Sequence, residues 1–246
     1  MPYTVGIPFG DSNGTASNDY HFITRWRVKA TPAKAMDIIA MFTTIAAMQQ
    51  KKTPGPLRNF DPIKVARYEK DSWVAYYQRR WFTLLRLLIG LIRSTYGLSW
   101  WQAIRVGIPA TRAQLAFAPE DNNVLAAIEF MRQFFAQVKA IHHEDYDPIE
   151  VARAEVSWWV VHRKFFGRSD RPEMTEAVAC AYSTVHDLPP SKLWEAAQYR
   201  AQAMVYSDAW VQSARNRRER DPDSRLLVKE ETALIKSYTA LKKAVS

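Results

Sequence analysis

The hydrophobic pattern changes period along the chain. Residues 1–19 mix Pro, Gly, Ser and Asn with little apolar order and read as a mobile or draped arm. From Tyr20 the positions alternate, with Tyr20, Phe22, Thr24, Trp26 and Val28 on one side and His21, Arg25, Arg27 and Lys29 mostly on the other. A period of two predicts a half-buried strand over Tyr20–Lys29. Thr31-Pro32 then supplies an N-cap and a first-turn proline, so a helix is expected through about Gln50, followed by a turn or linker at KKTPGP, 51–56.

Beyond Phe60 the pattern is helical. Asp61-Pro62 opens a helix expected to reach about Trp81, and an apolar helix follows to Tyr96. Gly97 ends it, Ser99 caps a third helix to about Ala118 that Pro109 should kink, and a fourth spans about Asn123–His142. Asp147-Pro148 with Glu150 reads as an Asp version of the capping box, and further helices are expected near 148–166, 172–186, 190–213 and 226–244.

The second half echoes the first. FDPIKVARYEKDSWVAYYQRRWF (60–82) and YDPIEVARAEVSWWVVHRKFF (146–166) share x-DPI-x-VAR at an offset of 86 (146 − 60). The same offset pairs Glu69 with Glu155, Trp73 with Trp159 and Tyr76 with His162. Thr111-Arg112-Ala113-Gln114 matches Tyr199-Arg200-Ala201-Gln202 at 88, and Phe134–Ala140 matches Tyr238–Ala244 at 104, which places extra sequence at ARNRRERDPDSR, 214–225. The expected architecture is all-α: a tandem duplication of a four-helix unit, with repeats at 60–145 and 146–246 packed as one body. The strand–helix extension and arm occupy 1–59.

The segment DYHFITRWRVKATPAKAMDII, about twenty residues, resembles the opening strand and helix of the START-like, polyketide-cyclase family of helix-grip folds. That resemblance implies a lipid-binding fold. The sequence that follows lacks the alternating strands such a cavity requires, so no site residue is carried across. A lone strand needs a partner, so Tyr20–Lys29 is expected to pair within the chain, with a protein partner, or across a homodimer.

Composition narrows the choices. The chain is aromatic-rich, with nine Trp, eleven Tyr and eleven Phe, and its formal charge of +9 is spread over its whole length rather than gathered into a polycation. Diffuse basicity could favour anionic membrane, nucleic acid or an acidic protein, but the mixed signs of the arginine-rich insertion 214–225 make nucleic acid unlikely. No cationic n-region precedes an apolar core at the N-terminus, so a cytoplasmic location, with peripheral membrane contact as an alternative, is expected. Arg86 and Arg93 interrupt the most apolar run, WFTLLRLLIGLIRSTYGLSWW, which contains the Trp81, Trp100 and Trp101 cluster. This reads either as a core helix with two surface arginines or as an interfacial membrane helix. Cys180, the only cysteine, sits in apolar AVACAYSTVH and is expected to be an inert core thiol.

Candidate chemistry centres on 148–166, whose apolar residues cover almost the whole circumference, so it reads as a central helix. Glu155, Trp159, His162 and Phe166 fall on one stripe of it. A buried carboxylate needs a partner or a proton, and the repeat suggests arginines: Glu69 with Arg112, and Glu155 with Arg200. Trp159, Arg200, Tyr76, Glu69 and Arg112 are thus the expected ligand-facing residues of a non-catalytic binding or scaffold protein that takes an apolar ligand or a protein partner, with no cofactor. The alternative is an oxidoreductase with Glu155 and His162 catalytic, whose iron, manganese or haem would be held by Glu155, His162, His186, Asp208 and Glu231. The Glu-x-x-His step of di-iron bundles is missing. His142-His143-Glu144-Asp145 reads as a solvated linker, and Ser183 with His186 as a chance spacing. No phosphate loop, Gly-x-Gly-x-x-Gly or Gly-x-Ser-x-Gly elbow occurs.

Overall fold

The computed structural model describes residues 59–78, 80–213 and 221–246. Among these the chain is all-helical, with eight helices and no strand: α1 Pro62–Tyr77, α2 Trp81–Tyr96, α3 Trp100–Phe117, α4 Val124–His142, α5 Pro148–Lys164, α6 Pro172–His186, α7 Pro190–Gln212 and α8 Arg225–Val245. The expected strand Tyr20–Lys29, the helix to Gln50 and the KKTPGP linker lie outside the described residues, as does 214–220.

Local chemistry sets the helix ends. Asp61 Oδ1 accepts from the Ile63 and Lys64 amides at 3.0 and 3.3 Å, and Asp147 Oδ1 accepts from the Ile149 amide at 3.0 Å. Pro62 and Pro148 follow as first-turn prolines, where their missing N–H costs nothing. Ser99 and Gln102 form a reciprocal capping box, and Gly97 closes α2 at φ 60°. Glu150 does not complete a box with Asp147; its carboxylate reaches forward to Arg153 Nη1 at 2.8 Å. Helix α1 ends at Tyr77 rather than near Trp81, because the chain turns there and Arg80 N–H bonds the Ala75 carbonyl. Pro109 sits inside α3 without ending it.

Each helix packs on the next in sequence, and α8 returns to pack on α1, so the helices close into a ring. Neighbours run antiparallel. Tyr68 in α1 lies against Gly90 in α2, where an added Cβ would come within 2.6 Å of the tyrosine ring, and Arg112 in α3 stacks over Phe130 in α4. The ring closes through Lys242 Nζ donating to the Phe60 carbonyl at 2.8 Å, an edge-on contact of Phe60 with Tyr238, and Glu231 gripped by Lys70 and Arg67 at 2.8 and 3.1 Å. One hydrophobic cluster draws from all eight helices, including Trp73, Leu91, Val106, Met131, Trp158, Met174, Leu193 and Leu234.

Two sequence expectations fail here. Helix α5 is not apolar all round: Arg153, Ser157, Val160 and Lys164 form an exposed strip, while Val151, Ala152, Glu155, Val156, Trp158, Trp159 and His162 are buried. Cys180 is exposed. The buried stripe of α6 runs through Met174, Val178, Ala181, Tyr182 and Val185, and Cys180 falls on the opposite face.

The joint between α4 and α5 is short and pinned. Lys139 Nζ donates to the Tyr146 carbonyl at 2.8 Å, and the Tyr146 hydroxyl donates to the Phe135 carbonyl at 3.0 Å. The two rings meet edge-on at 6.1 Å. With this joint and a shared core, urea unfolding of the full chain should give a single transition. Tyr146→Phe should lower stability by about 1 kcal/mol, the net value of one hydrogen bond, without splitting that transition. Two resolved transitions in either protein would mean the halves unfold separately.

Candidate functional site

The polar interior is built on three helix faces that meet inside the ring. Glu69 and Trp73 share a stripe of α1, Arg200, Ser207 and Asp208 lie on the inner side of α7, and Glu230, Ser237 and Tyr238 face inward from α8; all are buried. Arg200 Nη1 donates to Glu69 Oε1, and the Tyr238 hydroxyl donates to Glu69 Oε2. The Arg200 guanidinium also stacks over Trp158 of α5 at 5.6 Å. One arginine thereby ties α7 to α1 and α5, and through the shared glutamate to α8.

Electrostatics follows from burial. Removal from water works against the Arg200 charge, but the Glu69 carboxylate outweighs it and raises the guanidinium pKa. Burial and the negative Glu69 raise Tyr238, and burial pushes the Tyr182 phenol up to about 12. Glu230 is raised well above the ordinary carboxylate range by burial first and by Glu69 second.

A second cluster lies two turns further along α7. Asp208 Oδ1 accepts from His162 Nε2–H at 3.2 Å, while Oδ2 accepts from the Gly167 amide at 3.0 Å and Ser169 Oγ at 2.6 Å. Gly167 is at φ 77°, which glycine adopts without strain. Asp208 therefore holds the turn after α5 against α7. In a Ser–His pair the histidine takes the serine's proton; here Ser169 and His162 both donate to Asp208, so the serine is bonded to the carboxylate and not to the histidine.

The remaining sequence candidates separate. Glu155 is buried on α5 and accepts from Trp159 Nε1 at 3.0 Å within its own helix. The expected partnerships Glu69–Arg112 and Glu155–Arg200 do not form: Arg200 crosses to Glu69, and Arg112 is exposed, stacked on Phe130 at 4.8 Å. Residue 109 supplies a physical reason. It is a proline within α3, three residues before Arg112, where α7 has Ala197 before Arg200. The two helices then present opposite faces: α3 buries Gln114 and exposes Arg112, whereas α7 buries Arg200 and exposes Gln202. Tyr76 is half-buried against Tyr77 and Trp81. His186 is buried at the end of α6, and Glu231 is tied at the α1–α8 seam. Burial opposes the Glu231 charge, but the Lys70 and Arg67 bonds hold its pKa below the usual range. The five proposed metal ligands thus do not converge, and among the described residues no three His, Cys, Asp or Glu side chains gather with metal-binding spacing.

His142, expected in a solvated linker, is instead the half-buried last residue of α4, where its Nε2–H donates to the Tyr96 carbonyl at 2.6 Å and burial lowers its pKa. Sequence reasoning missed Tyr238, Glu230, Ser169 and Arg163. Arg163 donates to the Phe117 and Pro119 carbonyls at 2.6 and 3.0 Å and covers the Phe117 ring at 4.1 Å, closing the end of α3. For Tyr238 a signal existed: it stands where the first half has Phe134, the gain of one hydroxyl in an apolar position.

The outer surface differs in kind. Helix α2 buries only Gly90, Leu91, Ile92, Thr95 and Tyr96, near its C-terminus; the core-helix expectation for 81–96 holds for that end alone. Phe82 is 92% exposed and Leu85 48%. Phe82, Arg86 and Arg93 fall at helical spacing on one side of α2, and Arg93 stacks over Trp100, itself 51% exposed, at 5.1 Å. No helix among the described residues is long and apolar enough to cross a membrane. Comparison with protein-family models, curated proteins and solved structures gave no match.

Crossed pairing separates the two arginines experimentally. Arg200→Ala orphans a buried carboxylate and should cost about 3–5 kcal/mol in urea melts, whereas Arg112→Ala should stay within about 0.5 kcal/mol of the parent. Glu230 gives a pH signature. Its raised pKa keeps a proton in the folded chain that the unfolded chain releases above about pH 4.5, so its contribution to stability is lost as pH rises through that window. Glu230→Gln should therefore melt above the parent at pH 7–8, by about 2–4 °C per kcal/mol recovered, and the gap should close towards pH 4.5.

Proposed function

We propose that the chain is a non-catalytic helical binding protein, built from two related four-helix units, which engages its partner through the outward face of α2 and the start of α3. The observation that carries this reading is a division of labour. Side chains with chemical potential point inward and bond to one another: Arg200 and Tyr238 to Glu69, and His162 and Ser169 to Asp208. Large apolar side chains instead stand in solvent on one outer helix, Phe82 foremost.

Matching positions support the duplication. Val65 and Val151, Ala66 and Ala152, Glu69 and Glu155, and Trp73 and Trp159 are all buried, and α1 and α5 both start on a proline after an aspartate cap. A ring that closes α8 onto α1 as α4 meets α5 brings the arginine of α7 within reach of the glutamate of α1, whereas Arg112 of α3 turns outward onto Phe130. That explains why Arg200 reaches Glu69 instead of Glu155.

The rival chemistry would route electrons or protons through Glu155 and His162. Elemental and haem analysis of protein purified without an affinity tag checks this: the binding reading expects no stoichiometric metal. One iron, manganese or haem per chain, lost in His162→Gln, would overturn it.

A further inference from the structure

Chain positions 72–119 contain no Asp or Glu, whereas arginine recurs at 79, 80, 86, 93, 105 and 112. This acid-free stretch is α2, α3 and their flanks. On α3 the residues at successive outward turns are Trp101, Arg105, Ile108, Arg112 and Leu115, all exposed except half-buried Ile108. On α2, Phe82, Leu85 and Arg86 are exposed and Arg93 is partly exposed, while Ile89 packs towards the core. Both neighbouring helices therefore carry aromatic and aliphatic groups alternating with fixed positive charges, and the Arg93–Trp100 contact joins them.

We infer that this paired face docks on an anionic lipid bilayer, lying flat in its interface. The proposal rests on the binding reading above and names its partner. The two ingredients of interfacial attachment are both present: apolar side chains that enter the headgroup–acyl boundary, and arginines that meet lipid phosphate without a carboxylate to compete. Trp and Phe are suited to that depth because each ring has an apolar body, and the indole N–H finds a partner among headgroups. A nucleic acid would use the charges but leave Phe82 in water. An acidic protein would need a shaped seat, whereas these are the convex outer sides of two helices.

Flotation of the full chain with vesicles tests the inference, using pure phosphatidylcholine and phosphatidylcholine with about one third phosphatidylserine. Binding is expected only to the anionic vesicles, weakening strongly between 0.1 and 0.5 M salt as screening lengths shorten. Phe82→Asp should abolish it, and Arg86→Gln and Arg105→Gln should each weaken it about five-fold. Val228→Asp, on exposed Val228 of α8, should bind as the parent does. Circular dichroism melts confirm folding, which these exposed positions should leave intact. Absence of binding to anionic vesicles, equal binding to both vesicle types, or persistence in Phe82→Asp overturns the lipid assignment. Light scattering of the same samples separates the two levels of the argument. Parent chains that self-associate while Phe82→Asp does not would replace the lipid by a second copy and leave the binding face standing. Failure of both assays would remove the face as well.

Discussion

A guanidinium buried in an all-helical core constrains everything around it. Arg200 retains its charge only because Glu69 lies against it, and Glu69 is held by Tyr238 from a third helix. Leaving either charge alone in the interior would cost several kcal/mol. Only arrangements that bring α1, α7 and α8 together at these residues satisfy them. Such pairs add little net stability compared with an apolar core of the same volume; what this one contributes is register. It selects the ring in which the last helix returns to the first from other ways of packing eight amphipathic helices.

The two halves meet that demand differently. Glu69 has an arginine and a tyrosine from the other half of the ring, whereas Glu155 bonds Trp159 on its own helix and the matching positions carry solvent-exposed Arg112 and apolar Phe134. Beside the second glutamate stands Trp159, packed edge-on against Trp158, while the Asp208 cluster fixes the turn after α5. The interior is therefore polar on one side and aromatic on the other. The surface has the opposite character. The arginines that stand beside Phe82 and Trp101 lie in a stretch, 72–119, without a single Asp or Glu.

Helix positions were readable from short-range chemistry. Asp-Pro starts, the Gly97 stop and Ser99 cap act within a turn, so α1 to α8 begin close to where sequence places them. Burial of Glu155 and His162 was also legible, because a shared stripe with tryptophans is a local property. Partner choice was not. Glu69 and Arg200 are separated by 131 positions, and repeat logic assigned arginines within each half because sequence offsets carry no information on which half a helix packs against. Cys180 was misplaced for a similar reason: an apolar neighbourhood in sequence says nothing about angular position until the buried stripe of α6 is fixed by its neighbours. The missed residues Ser169 and Arg163 act on turns and helix ends brought close by the tertiary fold.

A double-mutant cycle between α1 and α7 tests the closing contact most directly. Glu69→Gln, Arg200→Met and the double variant would be compared with the parent by urea unfolding. If the pair sets the register of the ring, each single change is costly and the double variant recovers much of the loss, with a coupling of about 2–3 kcal/mol. Additive effects with no coupling would contradict the crossed pairing and the ring that depends on it.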